Sequence, residues 1–259
     1  MRPSLADRWP EYLIEASLLG CFMAATCFLV VAFESPLLWS FAYVPSARIR
    51  TAVLALAIGL TAALLIHSPW GKRSGAHLNP AVTLAFFILK RISAWDALFY
   101  AISQIIGAAS GVWVVVLEAG KLFTGPPVLY AVTIPGAAGV LTAFIAELAI
   151  SFLLMIAILI FVGSPRLICF TGIAVGTLIA FFILVEAPLS GTSMNPARTL
   201  ASAIPGRMWA HVWIYATAPP LGMMLAAHVY TRMANPRGRV CAKLSHPGSV
   251  RCIHCGFNP

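Results

Sequence analysis

The stretch Ser74-Gly75-Ala76-His77-Leu78-Asn79-Pro80-Ala81-Val82-Thr83-Leu84-Ala85-Phe86-Phe87-Ile88 decides how this chain folds, because it occurs twice. Its counterpart is Ser190-Gly191-Thr192-Ser193-Met194-Asn195-Pro196-Ala197-Arg198-Thr199-Leu200-Ala201-Ser202-Ala203-Ile204. In register, the two share Ser, Gly, Asn, Pro, Ala, Thr, Leu, Ala and Ile. An Asn side chain accepts from first-turn N–H groups, and Pro at the first helical position has no N–H to leave unsatisfied. Each stretch therefore starts a helix at its Asn-Pro. Lys90 and Pro205 interrupt the apolar runs before they reach the roughly 20 residues that cross a bilayer. The reading is two half-helices, one per repeat. Paired short, interrupted segments in two halves of a chain point to a transport pathway.

The sequence around them is that of a membrane protein. It is 60% hydrophobic and only 10% charged, against about 25% charged in soluble domains. The long apolar runs predict helices; barrel strands would be shorter and alternate in polarity. The net charge of +9 does not indicate nucleic-acid binding, because the basic residues are scattered between apolar runs and form no known binding motif. Glu11 and Glu15 interrupt what would be the apolar core of a signal peptide, so the first helix is expected to be retained.

Six spans are predicted, at 12–33, 51–67, 94–117, 137–161, 167–185 and 208–230. The expected fold is an all-α membrane protein of six transmembrane helices plus two re-entrant half-helices, arranged as an inverted repeat. Its parts are an N-terminal tail 1–11, a first repeat 12–117, a connector 118–136, a second repeat 137–230 and a C-terminal tail 231–259. The connector is marked by Gly125-Pro126-Pro127 and Pro135, and Pro188 is expected to break the chain before the second half-helix. Three spans per half give the repeats opposite orientations, so the half-helices enter from opposite faces with their N-termini opposed. Lys72, Arg73, Lys90, Arg91, Arg166 and the basic tails share one side, which assigns both termini to the cytoplasm of a multi-pass cell-membrane protein. Arg48 and Arg50 run against that trend. Trp9, Tyr12, Trp70, Trp95, Trp209 and Trp213 fall near span ends, where interfacial belts form.

Non-helical backbone ahead of each Asn cannot face lipid and is expected to line a wet path. The free N–H groups and dipoles of two opposed helix starts make that path positive, and the Asn79 and Asn195 amides offer donors that orient a water molecule. Asn79-Pro80-Ala81 and Asn195-Pro196-Ala197-Arg198 resemble the paired signature motifs of the aquaporin, or major intrinsic protein, family, and the resemblance runs over about residues 12–230. It implies one pore per subunit, a homotetramer in the lipid bilayer, and passage of water and small neutral solutes with no cofactor.

The resemblance also assigns residues. Arg198, where the first repeat has Val82, belongs to a narrow constriction together with Thr192, Ile183 in span five and Ile58 in span two. Glu15 and Glu147 match buried glutamates that hold the half-helix loops, and His77 matches a loop histidine that braces the loop or lines the pore. Water channels of the family tend to carry Phe and His where this chain has the two Ile, whereas glycerol facilitators carry Asp where it has Thr199. The expected function is a passive channel for water and small uncharged solutes that excludes protons and ions. The alternatives are a facilitator chiefly for glycerol, urea, hydrogen peroxide or ammonia, or an ion-coupled transporter. No catalytic constellation suggests an enzyme.

The C-terminal tail carries a separate signal. Cys241, His246, Cys252 and Cys255, with His254 nearby, have thiolate and imidazole spacing suited to zinc. The other reading is a disordered basic tail with incidental thiols.

Overall fold

The structure is a computed structural model that describes residues 7–233, 241–246, 248 and 250–257. Six of its helices are long and apolar enough to cross a membrane. The first repeat holds α1 (Trp9–Glu34), a short α2 (Trp39–Tyr43), α3 (Ala47–His67), α4 (Pro69–Ser74), the half-helix α5 (Pro80–Ile88) and α6 (Ala94–Ala119). The second holds α8 (Val140–Val162), α9 (Thr171–Ser190), the half-helix α10 (Pro196–Gly206) and α11 (Val212–Met233), after the short α7 (Lys121–Thr124).

The bundle closes through small residues. Helix α1 packs on α6, α8 on α11, and α3 on α9. A Cβ on Gly107 of α6 would overlap the Ala16 carbonyl oxygen of α1, and one on Gly222 of α11 would overlap the Leu148 carbonyl oxygen of α8. Gly59 and Gly176 face one another in the same way, each against the other's carbonyl oxygen. Lipid tails are as apolar as Leu, so close backbone approach at small residues is what holds such helices together. The half-helices fill the space that remains: α5 packs on α6 and α11, and α10 on α6 and α11.

Four local features differ from the sequence reading. Pro188 does not break the chain. Helix α9 runs through it to Ser190 and stops at Gly191, whose φ of +82° is left-handed. Pro188 forfeits the single i→i−4 bond to the Leu184 carbonyl without ending the helix, and the stop falls where Gly can take a left-handed turn. The segment between the repeats is more than a link, since Val128, Ala131 and Val132 line the central cavity. Tyr12 is buried rather than interfacial, and its hydroxyl donates to Asp96 at 2.7 Å. Arg50 is no free counter-charge to the sidedness rule. It is buried, pairs with Glu34 at 3.8 Å, donates to the Val44 and Pro45 carbonyls, and lies over the Phe41 ring.

Candidate functional site

Each Asn stands at the start of its half-helix in extended conformation, φ −161° at Asn79 and −148° at Asn195. The Asn79 side-chain oxygen accepts from the Ala81 N–H, and that of Asn195 from the Ala197 and Arg198 N–H groups. Each amide nitrogen then crosses to the other loop. Asn79 Nδ2 donates to the Met194 carbonyl at 2.7 Å, and Asn195 Nδ2 donates to the Leu78 carbonyl at 2.8 Å. The half-helices are therefore tied start to start. One N–H of each amide is spent on the tie and one remains for a guest, and both Asn line the cavity.

The loops ahead of the Asn residues are bent by paired left-handed residues, Ala76 and Leu78 in one, Thr192 and Met194 in the other, with φ between 52° and 53°. A left-handed non-glycine residue costs about 1–2 kcal/mol. Glutamates offset that cost. Glu15 accepts from the His77 and Leu78 N–H groups and the Ser74 hydroxyl, and also from Gln104. Glu147 accepts from the Ser193 and Met194 N–H groups and the Ser190 hydroxyl. Tyr100 donates to the Ser74 carbonyl and Tyr215 to the Ser190 carbonyl. The whole device is thus built twice, once per repeat. Both carboxylates are fully buried.

One cavity of about 330 Å³ runs along both loops. Ile58, Ile183, Thr192 and Arg198 all line it, along with His77, and most of the rest of its wall is aliphatic. Arg198 brings its charge to the cavity wall, and its buried Nη1 has no hydrogen-bond partner among the described residues. Among the described residues that line the cavity, none is acidic. Thr199 is not in the wall. Its hydroxyl bonds Thr133 and Ser193 at 2.7 and 2.6 Å and locks the second loop to the segment between the repeats. Two contacts escape the sequence reading, in which Glu186 is only a carboxylate near an apolar span. Glu186 is buried and accepts from the Thr192 hydroxyl at 2.6 Å, fixing the direction of that hydroxyl. Gln104 bridges Glu15 and Thr83. A polar residue inside an apolar span was the available signal for both.

The tail returns to this site. Cys241, His246, Cys252 and Cys255 come together with all four ligand atoms within 4.8 Å of one another. His254 stays out of that cluster. Its ring stacks on His77 and approaches the Ser74 carbonyl at 3.2 Å. Burial pushes the His254 pKa down to about 3 and so favours a neutral ring. Ala242 and Leu244 are buried, and Leu244 lines the cavity. The described tail is therefore folded, contrary to the reading of a disordered segment.

Two opposed half-helices inside six spans define a channel-type inverted repeat rather than a globular fold. The major intrinsic protein family profile matches residues 11–230, and the chain belongs to that family. Among its relatives, aquaporin NIP6-1 of Arabidopsis thaliana is 36% identical over 183 residues, 70% of this chain and 58% of that protein. The glycerol uptake facilitator protein-like 6 of Lactiplantibacillus plantarum is 39% identical over 183 residues, 66% of this chain and 82% of that protein. Aquaporin-4 of Mus musculus is 32% identical over 215 residues, 81% of this chain and 64% of that protein. The chain thus spans about three fifths of the length of the first and third of these relatives. The aquaglyceroporin structure from Plasmodium falciparum shares the fold, with a TM-score of 0.68 at 21% identity, covering 88% of this chain and 95% of that one. Members of the family are channels, not enzymes.

Proposed function

We propose that this protein is a passive channel for water and small uncharged solutes, closed to protons and ions. The observation that carries the reading is the reciprocal tie between Asn79 and Asn195 inside a continuous, largely aliphatic cavity. Two helix starts aimed at one place repel cations, and the spare amide N–H groups take the oxygen of a passing water, which interrupts its proton wire. Arg198 adds a fixed charge. Half-helix dipoles with an Arg are the general logic of aquaporin-type pores.

Ile58, Ile183, Thr192 and Arg198 form the selectivity constriction in this reading. Two aliphatic walls offer fewer hydrogen bonds than an aromatic and a His would, and they leave more room. The solutes expected beside water are hydrogen peroxide, ammonia, urea and short polyols, and a relative named as a glycerol uptake facilitator supports a pore of that width. An ion-coupled transporter is disfavoured, because the Glu15, Glu147 and Glu186 carboxylates accept from loop groups and, among the described residues, no acid lines the cavity.

The subunits assemble as homotetramers in the cell membrane. Both termini lie in the cytoplasm, on the side that carries most of the Lys and Arg. The tail cluster binds zinc, which its thiol and imidazole donors suit. Stopped-flow scattering of proteoliposomes, run with water and then with each solute, tests the central reading. Vesicles no more permeable than protein-free ones to every solute, with the tail both present and removed, would reject it. Saturable flux that follows an ion gradient would favour the transporter.

A further inference from the structure

We infer that zinc bound by Cys241, His246, Cys252 and Cys255 folds the tail into a plug that closes the pore mouth on the terminal side. The inference rests on the channel reading above and deepens it by naming a regulator. The donors are already arranged for the metal. Cys241 Sγ lies 3.4 Å from Cys252 Sγ, and His246 Nε2 lies 3.3 Å from Cys255 Sγ. Zinc bonds of about 2.3 Å to sulfur and 2.0–2.1 Å to nitrogen put tetrahedral donors at roughly that separation. His246 completes a set of three sulfurs and one nitrogen, a closed structural site with no position left for chemistry.

The ligands bracket the two segments that touch the pore. Between Cys241 and His246 lie Ala242, Lys243 and Leu244. The Leu244 N–H donates to the Gly75 carbonyl at 3.0 Å, and its side chain stands in the cavity wall. The Ala242 carbonyl lies 2.5 Å from His77 Nε2, so a cavity-lining ring is occupied by the tail. Lys243 is fully buried and donates to the Lys72 and Arg251 carbonyls at 2.9 and 2.7 Å. Between Cys252 and Cys255 lies His254, stacked on His77. A short tail with this few apolar residues cannot hold such a shape alone, and a metal supplies the missing folding energy. Loss of zinc therefore releases Leu244 and His254 from the loop and opens the mouth.

The test uses full-length protein purified without added metal. Elemental analysis is expected to find about one zinc per chain, and a Cys252→Ser plus Cys255→Ser variant is expected to retain none. In proteoliposomes, a membrane-permeant zinc chelator should raise the water permeability of the wild type at least threefold, and added zinc should reverse the rise. Leu244→Ala should keep its zinc yet conduct more than the wild type before chelation. Equal permeability with and without zinc would overturn the plug and leave the channel standing. A zinc-free wild type whose thiols titrate as a disulfide would overturn the metal site. Because chelation acts on the wild type, the result does not depend on the cysteine variant folding.

Discussion

Arg198, half-buried, and Glu147, fully buried, are two charges with opposite jobs. Arg198 stands in the cavity wall, whereas Glu147 spends both oxygens on its loop. Replacing Arg198 with Val, the residue of the first repeat, should leave the fold intact and let protons or small cations leak. Proteoliposomes loaded with a pH-sensitive dye read that leak, and an ion-tight variant would assign the whole barrier to the helix dipoles. Replacing Glu147 with Ala strips the acceptor from the Ser193 and Met194 N–H groups. Each buried group left unsatisfied costs about 1–3 kcal/mol, so the melting temperature in detergent should fall sharply. An unchanged melting curve would show that the loop holds its left-handed turns without the carboxylate. At Ile183, His would restore a donor and narrow the gap. Glycerol flux should then drop more than water flux, and equal losses of both would place the constriction elsewhere.

The elements meet through glycines, and that contact is as demanding as any side-chain packing. Gly107→Leu drives a side chain into the Ala16 carbonyl of α1, where backbone cannot move aside. Gly248 has nothing within 4 Å of its would-be Cβ. The first substitution should abolish monodisperse protein on size exclusion, and Gly248→Ala should be silent. Normal yield and an unaltered elution profile for Gly107→Leu would mean that α1 and α6 are held apart more widely than the structure has them. The half-helices themselves are too short to be stable alone in water. They persist because the Asn caps, the glutamates and the packing on α6 and α11 act together.

On the scale of the whole molecule, the repeat is doubled in everything but its exits. Glu15, Ser74 and Tyr100 answer to Glu147, Ser190 and Tyr215. Near the second loop stand Arg198, Thr192 and Glu186, while near the first stand His77 and the folded tail. Ending the chain after Met233 should leave the melting temperature of the bundle nearly unchanged and raise permeability. A truncated protein that conducts no better than the full chain would count against a closing role for the tail.

Much of this was legible in the order of residues. Asn-Pro twice, each ahead of an apolar run too short to span, fixes two half-helices, because capping and helix length are local properties. An odd number of spans per half turns one repeat over. What the chain alone could not disclose are long-range coincidences. That Pro188 lies inside α9, that Glu186 holds Thr192, that the segment after α6 lines the cavity, and that residues 241–246 and 250–257 come back against His77 all depend on contacts between distant positions. Spacing along a chain carries helix starts and membrane crossings. Which polar group finds which partner, and which end of the pore the tail reaches, is decided only when the helices pack and every buried donor must find an acceptor.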